Sequence, residues 1–143
     1  MRIFVLSLTL LCALPVVADV VATSASAAFA TGLRAYETGR YDRAITLLET
    51  AIAADPECAR CMHMLGKSYG RMAEHAAWLE AIKFAKKTRL ALESAIELAP
   101  EDPEVIEDLI RYYRAAPGFL GGSDEKARAL EQRLLQVATD RTS

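Results

Sequence analysis

The sequence predicts an all-α chain, and three observations predict it. Past position 27, apolar residues recur at spacings of three and four, and no useful length of strand-like alternation interrupts them. Prolines punctuate that pattern at Asp55-Pro56, Ala99-Pro100, Asp102-Pro103 and Ala116-Pro117. Proline lacks an N–H donor and restricts the residue before it, so each pair marks a helix boundary. The composition suits a globular chain: 143 residues, 52% hydrophobic and 25% charged, which is one domain by length. A formal charge of −2 supplies no basic field of the kind that draws nucleic acid.

Element by element, the chain opens on Met1-Arg2 and an apolar run from Ile3 to Val17 with only Ser7 and Thr9 as polar groups. Small residues follow at Val16-Val17-Ala18. The pattern predicts a secretory signal over 1–18, cleaved after Ala18, with a second possible cut within 22–27. The run of about 15 residues is shorter than the roughly 20 that span a bilayer. Cleavage would remove Cys12 and Arg2, leaving Cys58 and Cys61 and a charge of −3. Residues 19–27 are expected to be a short disordered segment, and 28–143 the folded domain.

That domain holds an internal repeat. "GLRAYETGRYDRAITLLETAIAADP", Gly32 to Pro56, reads as a helix end, a turn at Gly39 and a second helix carrying Ala44 and Ala51 on one face. Small residues there let antiparallel helices approach closely. "CMHMLGKSYG" then repeats the order large, large, small, aromatic at Met62, Leu65, Gly66 and Tyr69, and "LALESAIELAP" closes the unit with Leu92, Ala95 and Pro100. Chain from Pro103 follows with Ile106, Leu109 and Tyr113. Ser123 caps a last helix whose stripe is Ala127, Leu130, Leu134 and Val137, with Asp124 and Glu125 in its first turn.

These motifs resemble the tetratricopeptide repeat. The resemblance covers about Ala28 to Thr139 and implies an α-solenoid of about three helix-turn-helix units, near the minimum for stability. Pro56 to Pro100 spans 44 residues against the usual period of about 34. The excess predicts a lengthened second helix starting near Trp78, with Trp78, Ile82, Ala85, Arg89, Leu92 and Ile96 on one face. The segment Ala85 to Ala127, with "APGFLGG", is similar to one in a group of exported bacterial proteins of this class that have no assigned activity.

The candidate chemical sites are few. Cys58-x-x-Cys61 is followed by Met62, so the Cys-x-x-Cys-His of haem attachment is missing. His63 and His75 lie about 18 Å apart on one helix, too far to share a zinc ion. Cysteines three apart on a helical turn have Cα atoms about 5 Å apart, within disulfide range, which favours a local staple. A thiol–disulfide oxidoreductase remains the alternative, although no strand precedes the pair as in thioredoxin-like folds. Lys83, Lys86, Lys87 and Arg89 read as a solvated face, with Glu80 and Glu93 at helical spacing from Lys83 and Arg89. Phe119 and Leu120 are expected to pack onto their own helices. "GFLGGSDEK" lacks the Gly-Lys-Ser/Thr of a phosphate loop.

The resemblance also implies a binding surface, since first helices of such repeats line an inner face. The positions concerned are Phe29, Leu33 and Tyr36, then Arg60, His63, Lys67 and Arg71, then Glu107, Arg111 and Arg114. An apolar-aromatic end and a basic stretch suit an extended peptide bearing acidic groups or a free carboxylate. No nucleophile–base pair, carboxylate dyad or metal cluster stands out, so the expectation is not an enzyme and no cofactor. The sequence therefore predicts a periplasmic protein that binds a protein or peptide, as a scaffold or assembly factor. A structural subunit of an envelope complex is a further alternative.

Overall fold

The computed structural model describes residues 15–141, with side chains described from 24 onward. Six α-helices follow in order: α1 (Pro15–Glu37), α2 (Tyr41–Ala54), α3 (Ala59–His75), α4 (Trp78–Leu98), α5 (Pro103–Ala115) and α6 (Asp124–Asp140). A single 3₁₀ turn, Gly118–Leu120, stands between the last two, and no strand occurs among the described residues. The chain is all-α, as its periodicity predicts. Residues 19–27, expected to be disordered, lie within α1. The signal assigned to 1–18 falls mostly outside the described residues.

The helices pack as consecutive pairs, α1 with α2, α3 with α4 and α5 with α6, and α2 and α4 each carry the following pair. Two of the pairs turn in very little chain. Gly39 takes φ +74 between α1 and α2, a left-handed backbone that glycine adopts without a Cβ penalty. Tyr36 and Tyr41 meet edge to face across that turn, their centroids 5.4 Å apart. Close approach within a pair depends on glycine. A Cβ on Gly66 would lie 2.9 Å from Leu92 Cγ, and one on Gly32 would lie 3.1 Å from Leu48 Cγ. Leu48 and Leu92 are thereby almost wholly buried.

Between pairs, one polar contact occurs twice. Tyr69 donates to Glu49 at 2.6 Å, and Tyr113 donates to Glu93 at 2.7 Å. Burial, with the neighbouring carboxylate adding to it, pushes both phenols well above their ordinary range, so they stay protonated donors. Around these bonds sit two apolar clusters, one on Ala35, Ala44, Leu48, Leu65 and Ala91, the other on Leu92, Leu109 and Ala127.

Helix α4 begins at Trp78 as predicted, but its N-terminal end faces differently. Its buried side runs through Phe84, Thr88, Ala91, Leu92 and Ala95. At about 100° per residue that side is well rotated from Trp78, which is 70% exposed. Of the predicted stripe, Leu92 is buried and Ile96 packs against its cluster, whereas Trp78 stands outside the contact.

The α5–α6 connection is held by its backbone. Tyr112 Oη donates to the Leu120 carbonyl, and the Ser123 amide donates to the Tyr113 carbonyl, each at 2.9 Å. Gly121 takes φ +92 over the Arg89 side chain, and a Cβ on Gly122 would fall 1.7 Å from the Ala116 carbonyl oxygen. Phe119, expected to pack, is instead 64% exposed, because the loop needs none of its contacts to close. Ser123 caps α6 by accepting from the Lys126 amide, and Ala127 is that helix's one fully buried side chain.

Gly122→Ala should lower stability by about 1–3 kcal/mol, since the clash is with backbone that cannot yield. Gly118→Ala, where an added Cβ meets nothing within 4 Å, should change stability by less than about 0.5 kcal/mol. Urea unfolding of the two variants tests the contrast.

Candidate binding face

The residues of interest lie on α1, α3 and α5. On α1, Phe29, Leu33 and Tyr36 sit one turn apart on one side. On α3, Arg60, His63, Lys67 and Arg71 follow the same rule. These side chains line two clefts. A larger one of about 810 Å³ is lined by Phe29, Leu33, Arg60 and His63 with Met64, the Ala99–Glu104 connection and Arg141. A smaller one of about 240 Å³ is lined by Tyr36, Lys67, Arg71 and Arg111 over a floor of Gly66, Gly70 and Leu92. Glu107 is exposed and lines neither cleft, and Arg114 is drawn onto α6 by Glu131, at 2.7 Å, and by Asp124.

What separates the clefts is Asp108, which the sequence reading did not single out. Its carboxylate accepts from His63 Nε2 at 2.8 Å, lies 3.6 Å from Lys67 Nζ and accepts from Arg111 at 2.8 Å. His63 lines one cleft and Asp108 the other, so their bond forms the divide between them. His63 is only 5% exposed, which makes it a joint between α3 and α5 more than a displayed side chain. The i, i+3 relation of Asp108 and Arg111 is visible in the sequence, but the bond to His63 spans 45 residues and is not.

Asp108 is also where the electrostatics of the face are set. Burial alone would raise its carboxyl. The hydrogen bond from His63 and the charges of Lys67 and Arg111 outweigh that and hold it below the ordinary carboxylate range. In the smaller cleft, Lys67, Arg71 and Arg111 face only Asp108 and Glu74, so positive charge is left over. Arg71 is braced as well as paired: its Nε donates to Tyr41 Oη at 3.2 Å, it ion-pairs with Glu74, and its guanidinium lies 5.4 Å from the Tyr41 ring centre.

The larger cleft has a mixed rim. Arg60 lies over the Phe29 ring at 5.2 Å, shielding part of the apolar end. Across from it, Glu101, Asp102 and Glu104 crowd the start of α5, and Arg141 donates to the Glu101 carbonyl at 3.3 Å. That return of the chain end could not be read from local pattern.

Cys58 and Cys61 stand at the start of α3, where their sulfurs lie 1.98 Å apart and their Cα atoms 5.2 Å apart. Cys58 is the N-cap of α3, and its sulfur accepts from the Cys61 amide at 3.2 Å. The cross-link therefore fixes the turn that carries Arg60 and leads into His63. Among the described residues no group of three or more His, Cys, Asp or Glu side chains is placed to hold a metal ion, and no helix is long and apolar enough to cross a membrane. Neither a family model nor a curated protein matches the chain.

The Asp108 carboxylate should contribute stability that is present above its unfolded value near pH 4 and lost as pH falls through its lower folded value. Asp108→Ala should cost about 1–3 kcal/mol at neutral pH by leaving His63 without its acceptor. Asp108→Asn should flatten the acid limb of the stability curve, as read by urea midpoints measured against pH. Reduction of the Cys58–Cys61 cross-link should cost at most about 2 kcal/mol, because so short a loop restrains the unfolded chain little. Thiol titration of the unreduced, denatured chain should find no free sulfur beyond Cys12.

Proposed function

We propose that this chain is a helical-repeat protein of the tetratricopeptide type whose role is to bind an extended peptide or protein segment, not to catalyse. The observation that carries the reading is the adjacency of the two clefts along one face of α1, α3 and α5. An extended strand laid across such a face places successive side chains at separate subsites.

The two subsites differ in chemistry. The larger offers Phe29, Leu33 and Met64 to an apolar side chain, with Arg60 able to swing from the Phe29 ring onto a carbonyl or carboxylate. The smaller offers Lys67 and Arg111, whose shared acceptor Asp108 leaves donors over, and Arg71, held in place by Tyr41. Guanidinium groups bind carboxylates in two-point fashion, so an acidic residue or a chain-terminal carboxylate fits there. The ligand favoured is an acidic peptide with an apolar residue nearby. The apolar start of the sequence supports export and a periplasmic place of action, as a scaffold or assembly factor.

Selection from a library of acidic peptides gives the probe, and titration calorimetry the readout. Arg111→Glu and Arg60→Glu should each weaken the selected peptide about tenfold or more, a loss of about 1.4 kcal/mol. Arg114→Glu, on a side chain committed to α6, should leave affinity unchanged. Equal binding by all three variants would remove the face from consideration.

A further inference from the structure

Large apolar side chains rarely lie open without a use when they share a face, and α4 has such a face. Its buried side runs through Phe84, Thr88, Ala91 and Ala95. On the opposite side, Leu79 is 70% exposed and Leu90 is 56% exposed. Helical geometry puts Leu79, Lys83, Lys86 and Leu90 within an arc of about 60°, over a length of about 16 Å. Trp78, also 70% exposed, lies about 100° around the helix from Leu79, on the flank of that stripe.

Within that arc the charged side chains are Lys83 and Lys86, and exposed Glu97 follows two turns beyond Leu90 on the same side. Lys83 ion-pairs with Glu80 at 2.7 Å, but both side chains are more than half exposed, and such surface pairs hold little energy. Lys86 makes no ion pair among the described residues. None of the clefts described on α1, α3 and α5 reaches this face.

We propose that the outward face of α4 docks onto an anionic lipid bilayer. A protein partner fits this face less well, because lysine is depleted at the core of protein–protein interfaces. At a bilayer the same residues are complementary. The indole of Trp78 rests at the headgroup boundary, Leu79 and Leu90 enter the outer acyl region, and Lys83 and Lys86 extend along their stems to lipid phosphates. Each lysine near a negatively charged leaflet adds to the attraction, and salt weakens it. The contact is peripheral and leaves the groove of α1, α3 and α5 free.

Trp78 is the chain's one tryptophan, so its fluorescence reports this site alone. The full chain is mixed with phosphatidylcholine vesicles, with or without phosphatidylglycerol. Trp78 emission should shift to the blue and be quenched by brominated acyl chains only when the anionic lipid is present, and added salt should reverse both. The pairs Leu79→Ser with Leu90→Ser, and Lys83→Glu with Lys86→Glu, should each lower partitioning about tenfold or more, with helical circular dichroism unchanged. The groove variant Arg111→Glu should partition like the parent, so this inference and the peptide-binding one fail separately. A silent Trp78 overturns the proposal. So does parental binding by the α4 variants, which would assign adsorption to the apolar N-terminal segment. A concentration-dependent blue shift without vesicles would assign the face to a second copy of the chain, and overturn it equally.

Discussion

The tyrosine–glutamate bonds between successive helix pairs are the constraint on which the rest depends. Tyr69 reaches back to Glu49 on α2, and Tyr113 reaches back to Glu93 on α4. Each phenol lies among apolar side chains, where an unpaired hydroxyl would be costly, so the bond fixes how far one pair slides along the next. Within a pair, glycine sets the spacing: Gly32 admits Leu48 and Gly66 admits Leu92. In the third pair the position 44 residues after Gly66 is Ile110, half-buried against Leu92's cluster. That larger residue goes with a last helix on which Ala127 alone is fully buried. Once slide and spacing are set, the side chains of α1, α3 and α5 converge whatever their individual propensities.

Charge then shapes what that convergence leaves. A row of cations on neighbouring helices would repel itself, and the fold limits this by lending carboxylates to it. Asp108 is shared by His63, Lys67 and Arg111, and Glu74 takes Arg71. Burial works against the Asp108 carboxylate and its three donors overcome the burial, so the cluster is held by pairing rather than by solvation. A basic stretch in sequence thus becomes a nearly balanced groove with a small positive excess in its smaller cleft.

How much of this was legible in the sequence follows from the range of each interaction. The helix boundaries were readable because prolines and the Ser123 cap act locally, and the start of α4 at Trp78 followed from counting the interval between Pro56 and Pro100. The facing of α4 was legible in part. Leu92 and Ile96 of the predicted stripe lie in or against the core, but Trp78 shares their spacing and stands outside, and only the partner helix decides where along α4 the contact begins. Phe119 misled for a related reason. An apolar loop residue suggests burial, but Tyr112, Gly121 and Gly122 close the loop through backbone contacts, and the phenyl ring is left outside. Asp108 went unnoticed because its value lies in His63, on another helix.

Helices α1, α3 and α5 each contribute side chains to both clefts. The exposed leucines of α4 point away from these clefts, because Thr88 and Ala91 face inward and Leu79 and Leu90 lie about 140° around the helix from that side. The two surfaces therefore make different demands on the sequence. The groove needs charges held by partners, so that Arg71 and Arg111 keep a fixed geometry. The α4 stripe needs lysines left loose, because a side chain that must follow a fluid headgroup layer gains nothing from being fixed. Lys86, without an ion pair among the described residues, and Arg71, braced by Tyr41 and Glu74, stand at the two ends of that contrast.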